Sequence, residues 1–183
     1  MAHIALPEGA PGISGPMRAY PETGERLEGL AEALLRGPSS LSQAEREMIA
    51  AFVSSRNECF FCTSSHAAVA RYLMGGECEV VDEVLENYQD AAISEKMKAL
   101  LAIAGKVRED GRLVEESDIA RARAAGADDK AIHDTVLVAA AFCMFNRYVD
   151  GLATWAPEDP KLYEDVAVRL ATEGYERSKR QAG

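Results

Sequence analysis

Ser42-Gln43-Ala44-Glu45-Arg46-Glu47-Met48-Ile49-Ala50-Ala51-Phe52-Val53-Ser54-Ser55, continued by Arg56-Asn57-Glu58-Cys59-Phe60-Phe61-Cys62-Thr63-Ser64-Ser65-His66, opens as a helix and shows no strand alternation. Ser42 and Glu45 have the S-x-x-E spacing of a capping box. The Ser42 hydroxyl can accept from the third backbone N–H, while the Glu45 carboxylate reaches back to the Ser42 N–H. The pattern predicts a helix from Ser42 to about Ser55, with Met48, Ile49, Phe52 and Val53 on its buried face and Glu47 beside that face. Asn57 is the expected N-cap of the next helix, which runs to Met74 and stops at Gly75-Gly76.

Outward from this stretch the helical pattern continues. Leu27, Leu30, Leu34 and Leu35 stripe a helix from Glu22 to Arg36, ended by Gly37-Pro38. Further helices are expected around Val80 to Tyr88, from a Ser94 cap to about Arg108, from Glu115 to Ala125 with Gly126 as the stop, and from Asp128 or Asp129 through Val149. Asp159-Pro160 starts a last helix striped by Leu162, Val166 and Leu170. No segment alternates apolar and polar residues over a strand's length. The expected class is all-α, with an extended Pro- and Gly-rich arm over 1–21 and a single all-helical domain over 22–183. A faint internal repeat pairs His66-Ala67-Ala68-Val69-Ala70-Arg71 and Gly75 with Asp118-Ile119-Ala120-Arg121-Ala122-Arg123 and Gly126. Two copies of a helix pair would fit a duplicated bundle.

The formal net charge of −10 repels phosphate backbones and anionic lipid, so neither nucleic acid nor a membrane surface is an expected partner. The nearest basic cluster, Arg177-Ser178-Lys179-Arg180, is a chain-end tail. The longest apolar run, Val136 to Phe145, is about half of the ~20 residues that a spanning helix needs. No targeting segment is visible at Met1–Gly15, and a cytoplasmic location is expected. In such a reducing compartment, the cysteines Cys59, Cys62, Cys78 and Cys143 do not suggest a secreted disulfide framework; a close pair points to redox work or a metal.

Cys59, Cys62 and His66 stand at i, i+3 and i+7, so both sulfurs and the imidazole share one helix face. Cys59 is expected in the first turn, where unpaired N–H groups and the helix dipole lower a thiol's pKa below its free value of ~8.5. His66, one turn beyond Cys62, can take or share that thiol's proton. Position favours Cys59 as nucleophile; adjacency to His66 favours Cys62. Glu47 lies on the preceding helix, and two antiparallel neighbours can bring it beside His66 as a proton relay. Glu45 is already employed in the capping box. A thioredoxin-type C-x-x-C needs a strand before it, whereas here a capped helix precedes it.

The segment Glu47-x11-Cys59-x2-Cys62-x3-His66 resembles the signature of the alkylhydroperoxidase D-like family, within the carboxymuconolactone decarboxylase superfamily. The runs Pro21-Glu22-Thr23-Gly24, Leu35-Arg36-Gly37-Pro38-Ser39-Ser40-Leu41-Ser42 and Glu45-Arg46-Glu47 resemble the peroxidase-related subgroup, as do Phe145-Asn146-Arg147 and Asp150-Gly151-Leu152. The resemblance implies an alkylhydroperoxidase-like helical bundle that assembles as a homo-oligomer and works as a thiol peroxidase without a bound cofactor. By that resemblance Cys62 attacks the hydroperoxide and becomes a sulfenic acid, Cys59 condenses with it to a disulfide, and Glu47 and His66 relay protons. An external dithiol or protein reductant then reduces the bond. Well-known members carry a histidine just before the second cysteine; here Phe61 stands there, so the relay is shorter or completed by water. Phe60 and Phe61 suggest an apolar pocket mouth, suited to an organic hydroperoxide or a hydrophobic dithiol.

Competing readings attach to the same residues. Cys59, Cys62 and His66 with Cys78 could bind zinc in a metal-bound or redox-sensing module, although ligands along one helix ridge splay apart. A decarboxylase-type lyase would instead gather cations around a small cyclic acid, and the acidic composition argues against it.

Overall fold

The apolar stripes become helices in the computed structural model, which describes residues 1–76 and 78–176, without the Cys78 side chain. The basic run at 177–180 and the reading of Cys78 as a metal ligand lie outside the described residues. Among those described, nine α-helices and one 3₁₀ turn follow one another with no strand. They are α1 (Ser14–Ala19), α2 (Pro21–Leu35), α3 (Gln43–Arg56), α4 (Phe60–Leu73), α5 (Cys78–Asn87), α6 (Glu95–Glu109), α7 (Glu116–Ala124), α8 (Asp129–Gly151) and α9 (Pro160–Glu173), with the 3₁₀ turn at Gly111–Leu113 between α6 and α7. The class is all-α, as expected. None of the described helices is long and apolar enough to cross a membrane.

The capping box closes in both directions: the Glu45 N–H donates to Ser42 Oγ at 3.1 Å and the Ser42 N–H to Glu45 Oε2 at 2.8 Å. The helix it starts is the axis of the bundle. α2, α4, α5, α6 and α8 all pack on α3, so every residue from Arg46 to Ser54 is buried. The sequence pattern predicts a single buried face with Glu47 at its edge; the helix is instead buried all round, and Glu47 is 0% exposed. Leu35, Ile49, Val53, Leu100, Leu101, Ile103 and Val138 form the surrounding core. Burying each contributes roughly 1.5–3 kcal/mol. Arg46, also buried, donates from Nη1 to the carbonyls of Leu34 at 2.8 Å and Gly37 at 2.9 Å, which satisfies groups left open where α2 ends.

The corner between α3 and α4 differs from the expected one. Asn57 closes α3 rather than opening α4, and Cys59 is the N-cap residue of α4. The Asn57 side chain is taken by α8: its Nδ2 donates to Asn146 Oδ1 at 2.9 Å and to Cys143 Sγ at 3.6 Å. Glu58, between them, has φ +60°. A non-glycine residue in this left-handed region costs on the order of 1 kcal/mol, and such strain concentrates at functional sites.

The first 21 residues are not extended throughout. Ser14–Ala19 forms α1, with Pro16 in its first turn, where a missing N–H costs nothing. The backbone before it is tied down, with the His3 N–H on the Leu152 carbonyl at 3.0 Å and the Gly12 N–H on that of Trp155 at 2.9 Å. α9 packs on α4 through Tyr163 and Ala167 against Ala68 and Val69. Its buried stripe is thus offset from the predicted one: Leu162 is 49% exposed, and Val166 and Leu170 instead border a cavity.

Candidate active site

The site is assembled from α2, α3, α4, α8 and the stretch from α9 to Tyr175. α4 carries Cys62 and His66 one turn apart, and both border an apolar cavity of about 110 Å³. Phe61, Phe142, Phe145, Leu170 and Tyr175 contribute to its wall, with Glu28 and Arg169 also on it. A larger groove of about 430 Å³, lined by Thr63, Ala67 and Tyr163 among others, touches neither Cys62 nor His66. Cys59 is 0% exposed and does not border the cavity; it packs with Cys62 and Val149, with Ile13 and Phe61 against them. Both cysteines are free thiols. The sulfur open to the cavity is therefore that of Cys62.

Cys62, the thiol on the cavity, is not activated at rest. Its thiol is pushed well above its ordinary value, first by the hydrogen bond with Cys59, then by burial and by the charge of Cys59; Asp150 acts in the same direction and a contact from the Asn146 side chain opposes it. Cys59 lies at the cap, with extended backbone and no exposure, rather than in the first turn. The Cys62 thiol thus rests protonated at neutral pH, and its attack requires a base to remove its proton.

Glu47 and His66 meet as the helix argument requires. Glu47 Oε2 lies 2.6 Å from His66 Nδ1. The other carboxylate oxygen takes Arg36 Nη2 at 2.7 Å and the Tyr175 hydroxyl at 2.7 Å. Burial alone would raise the Glu47 pKa, but the charge and hydrogen bond of His66, the Arg36 guanidinium and the Tyr175 hydroxyl together hold it below the usual carboxylate range. An ionised Glu47 can accept from Nδ1–H, and in the neutral ring that tautomer leaves Nε2 as the acceptor. The imidazole is held on two sides by rings, edge-on to Phe142 with centroids 4.6 Å apart and stacked on Tyr175 at 6.0 Å.

This is a dithiol beside an acid–histidine pair, all on helices, and known proteins share the scaffold. The carboxymuconolactone decarboxylase family model matches residues 21–106. An uncharacterised peroxidase-related protein from Silicibacter sp. is 31% identical, with a TM-score of 0.73 over 81% of this chain and 78% of that one. The chain belongs to the alkylhydroperoxidase D-like family of the carboxymuconolactone decarboxylase superfamily. A peroxidase-related protein from Ralstonia eutropha, described as an alkylhydroperoxidase core, superposes on this family member at a TM-score of 0.77 with 26% identity, covering 84% of this chain and 81% of that one. A protein of unknown function from Agrobacterium tumefaciens shares the fold at a TM-score of 0.69 and 19% identity, over 79% of this chain and 97% of that one. No curated protein matches.

Sequence reasoning about this alkylhydroperoxidase-like chain located Cys59, Cys62, His66 and Glu47 in one neighbourhood, and missed two groups that hold them. Arg36 reaches Glu47, donates from Nε and Nη2 to the Leu170 carbonyl at 3.2 Å each, and lies 5.0 Å over the Tyr175 ring. Its signal is a cation at the C-cap of an amphipathic helix, ahead of a buried carboxylate. Tyr175 comes from the segment after α9 and carries no local motif. Asn146 and Asp150, which share a face of α8, act on the Cys62 thiol in opposite directions, Asn146 lowering and Asp150 raising its pKa. Among the described residues, no group of three or more His, Cys, Asp or Glu side chains is arranged to hold a metal.

Proposed function

We propose that this chain is a thiol peroxidase that reduces hydroperoxides through a Cys62/Cys59 cycle. The observation that carries the reading is a single arrangement: Cys62 faces the cavity, Cys59 is sealed behind it, and His66, held through Nδ1 by the ionised Glu47, borders the same cavity. The peroxidase-related names of the structural neighbours support it.

In the reaction, His66 Nε2 takes the Cys62 proton and the thiolate attacks the terminal oxygen of ROOH. The S–O bond forms as the O–O bond breaks, and the proton passes to the leaving alkoxide, giving ROH and Cys62–SOH. The Cys59 thiol then attacks the sulfenic sulfur, expelling water and forming the disulfide. Two electrons from an external dithiol restore both thiols. Glu47 stabilises the imidazolium that forms in the first step.

The lining of the cavity points to an organic hydroperoxide. Burying one apolar side group of the substrate against Phe61, Phe142, Phe145 and Leu170 contributes roughly 2 kcal/mol, or about thirtyfold in rate if it is gained in the transition state. Cumene hydroperoxide should therefore consume the thiols at least ten times faster than hydrogen peroxide, about tenfold being a low reading of that same burial. Stopped-flow thiol titration measures both rates. Equal rates would remove the substrate assignment, and no thiol loss with either oxidant would remove the peroxidase reading itself.

A further inference from the structure

We propose that Tyr175 is a positioning residue of the proton relay, its hydroxyl setting how Glu47 holds His66. The inference rests on the peroxidase reading for its rate consequence, but not for its structural one. The Tyr175 hydroxyl donates to Glu47 Oε1 at 2.7 Å and lies 3.3 Å from His66 Nδ1. Its ring stacks on the imidazole, the planes inclined by only 13°, and receives the Arg36 guanidinium on a face. One side chain thus touches the acid, the base and the cation paired with the acid.

The backbone is shaped to deliver it. Gly174 has φ +78°, a conformation that side chains strain to adopt. The next N–H, that of Tyr175, donates to Glu32 Oε2 at 2.7 Å on α2. A Cβ at Gly174 would run into that same oxygen, so a side chain here would push aside the Glu32 carboxylate that anchors the Tyr175 N–H. The carboxylate has three partners from three places: His66 from α4, Arg36 from the end of α2, and Tyr175 from beyond α9. Glu47 accepts from Arg36 and Tyr175 on Oε1, which leaves Oε2 directed at Nδ1. Without the hydroxyl, Oε1 keeps only Arg36 of its two donors, and the carboxylate is less firmly held about its terminal torsion. Charge-assisted hydrogen bonds of this kind carry about a tenfold effect or more.

Tyr175→Phe keeps the ring and removes only the hydroxyl. Two readouts test it in the reduced, full-length protein. The first is the Nδ1–H resonance of the His66 imidazole, observed by nitrogen-15 NMR, which reports the bond to Glu47 whether or not the protein reduces peroxides. The second is the rate of thiol oxidation by cumene hydroperoxide. The expected result is a shifted Nδ1–H resonance together with a rate limit lowered about tenfold at saturating peroxide, with half-saturation unchanged. An unchanged resonance overturns the proposal, whatever happens to the rate or the melting temperature. So does a loss confined to the half-saturating concentration, because the hydroxyl would then be acting on the peroxide. If the wild-type protein consumes no peroxide but the resonance still shifts in Tyr175→Phe, the peroxidase reading fails and the positioning of His66 by Tyr175 stands.

Discussion

Cys62→Ser is expected to lower the rate of hydroperoxide consumption by on the order of 10³-fold or more, since it removes the attacking atom itself. Cys59→Ser should behave differently. Cys59 is fully enclosed and away from the cavity, so the first attack on peroxide survives its loss. The cycle then halts at the Cys62 sulfenic acid, which a sulfenic-acid trap would capture with a mass increase on that residue alone. The asymmetry follows from burial, and the opposite pattern, with Cys59→Ser silent to peroxide and Cys62→Ser active, would reverse the roles of the two sulfurs. The raised pKa of Cys62 adds a pH dependence. Because the resting thiol holds its proton through neutral pH, thiol oxidation in the wild type should accelerate as the pH rises, rather than level off below pH 7.

Glu47→Gln is the second substitution with a large expected effect, and it acts on both rate and stability. The amide has nearly the same shape, but it carries no charge and presents a donor where Arg36 and Tyr175 also donate. His66 loses the carboxylate that fixes its tautomer, and general-base catalysis of this kind accounts for about 10²- to 10⁴-fold. A fall in thiol-oxidation rate of about 10²-fold is expected. The Arg36 side chain, 7% exposed, is left with an unpaired buried charge, and breaking such a pair costs roughly 3–5 kcal/mol. That cost depends on pH. Folding lowers the pKa of Glu47, so the folded chain binds that proton less tightly than the unfolded one. The stabilisation is fully present above the unfolded value of about 4.3 and is lost as the pH falls through the folded value. Urea unfolding of wild type and variant should differ most near pH 7 and converge in strong acid. A stability gap that stays constant down to pH 2 would show that the carboxylate charge contributes nothing to the fold.

What the chain reveals before folding is the local part of this site. Cys59, Cys62 and His66 lie within two turns, so helical periodicity alone aligns them, and the Ser42–Glu45 box fixes the phase of the helix before. That phase places Glu47 on the correct side, but not at its true depth: how many helices surround α3 is a property of packing between distant segments. The same limit hides Arg36 and Tyr175, whose partners lie 11 and 128 positions away along the chain for Glu47. The Asn57 cap failed for a similar reason, since a side chain with a strong local preference found a better partner in Asn146 on α8. Pro16 and the neighbouring glycines concealed α1, because proline is costly within a helix but not in its first turn. In α9 the stripe at Leu162, Val166 and Leu170 was real, yet it faces the cavity and solvent while Tyr163 and Ala167 turn to α4. Amphipathic patterns locate an apolar side without saying which neighbour will occupy it.

One measurement bears most directly on the dithiol cycle. Reduced protein is treated with one equivalent of cumene hydroperoxide, quenched in acid, digested with trypsin without reductant and analysed by mass spectrometry. Both cysteines fall in the tryptic peptide Asn57–Arg71, and Cys143 falls in another. The expected product is Asn57–Arg71 lighter by two hydrogens, with Cys143 still a thiol. Recovery of that peptide with both thiols intact after the peroxide has been consumed would contradict a Cys62/Cys59 cycle outright.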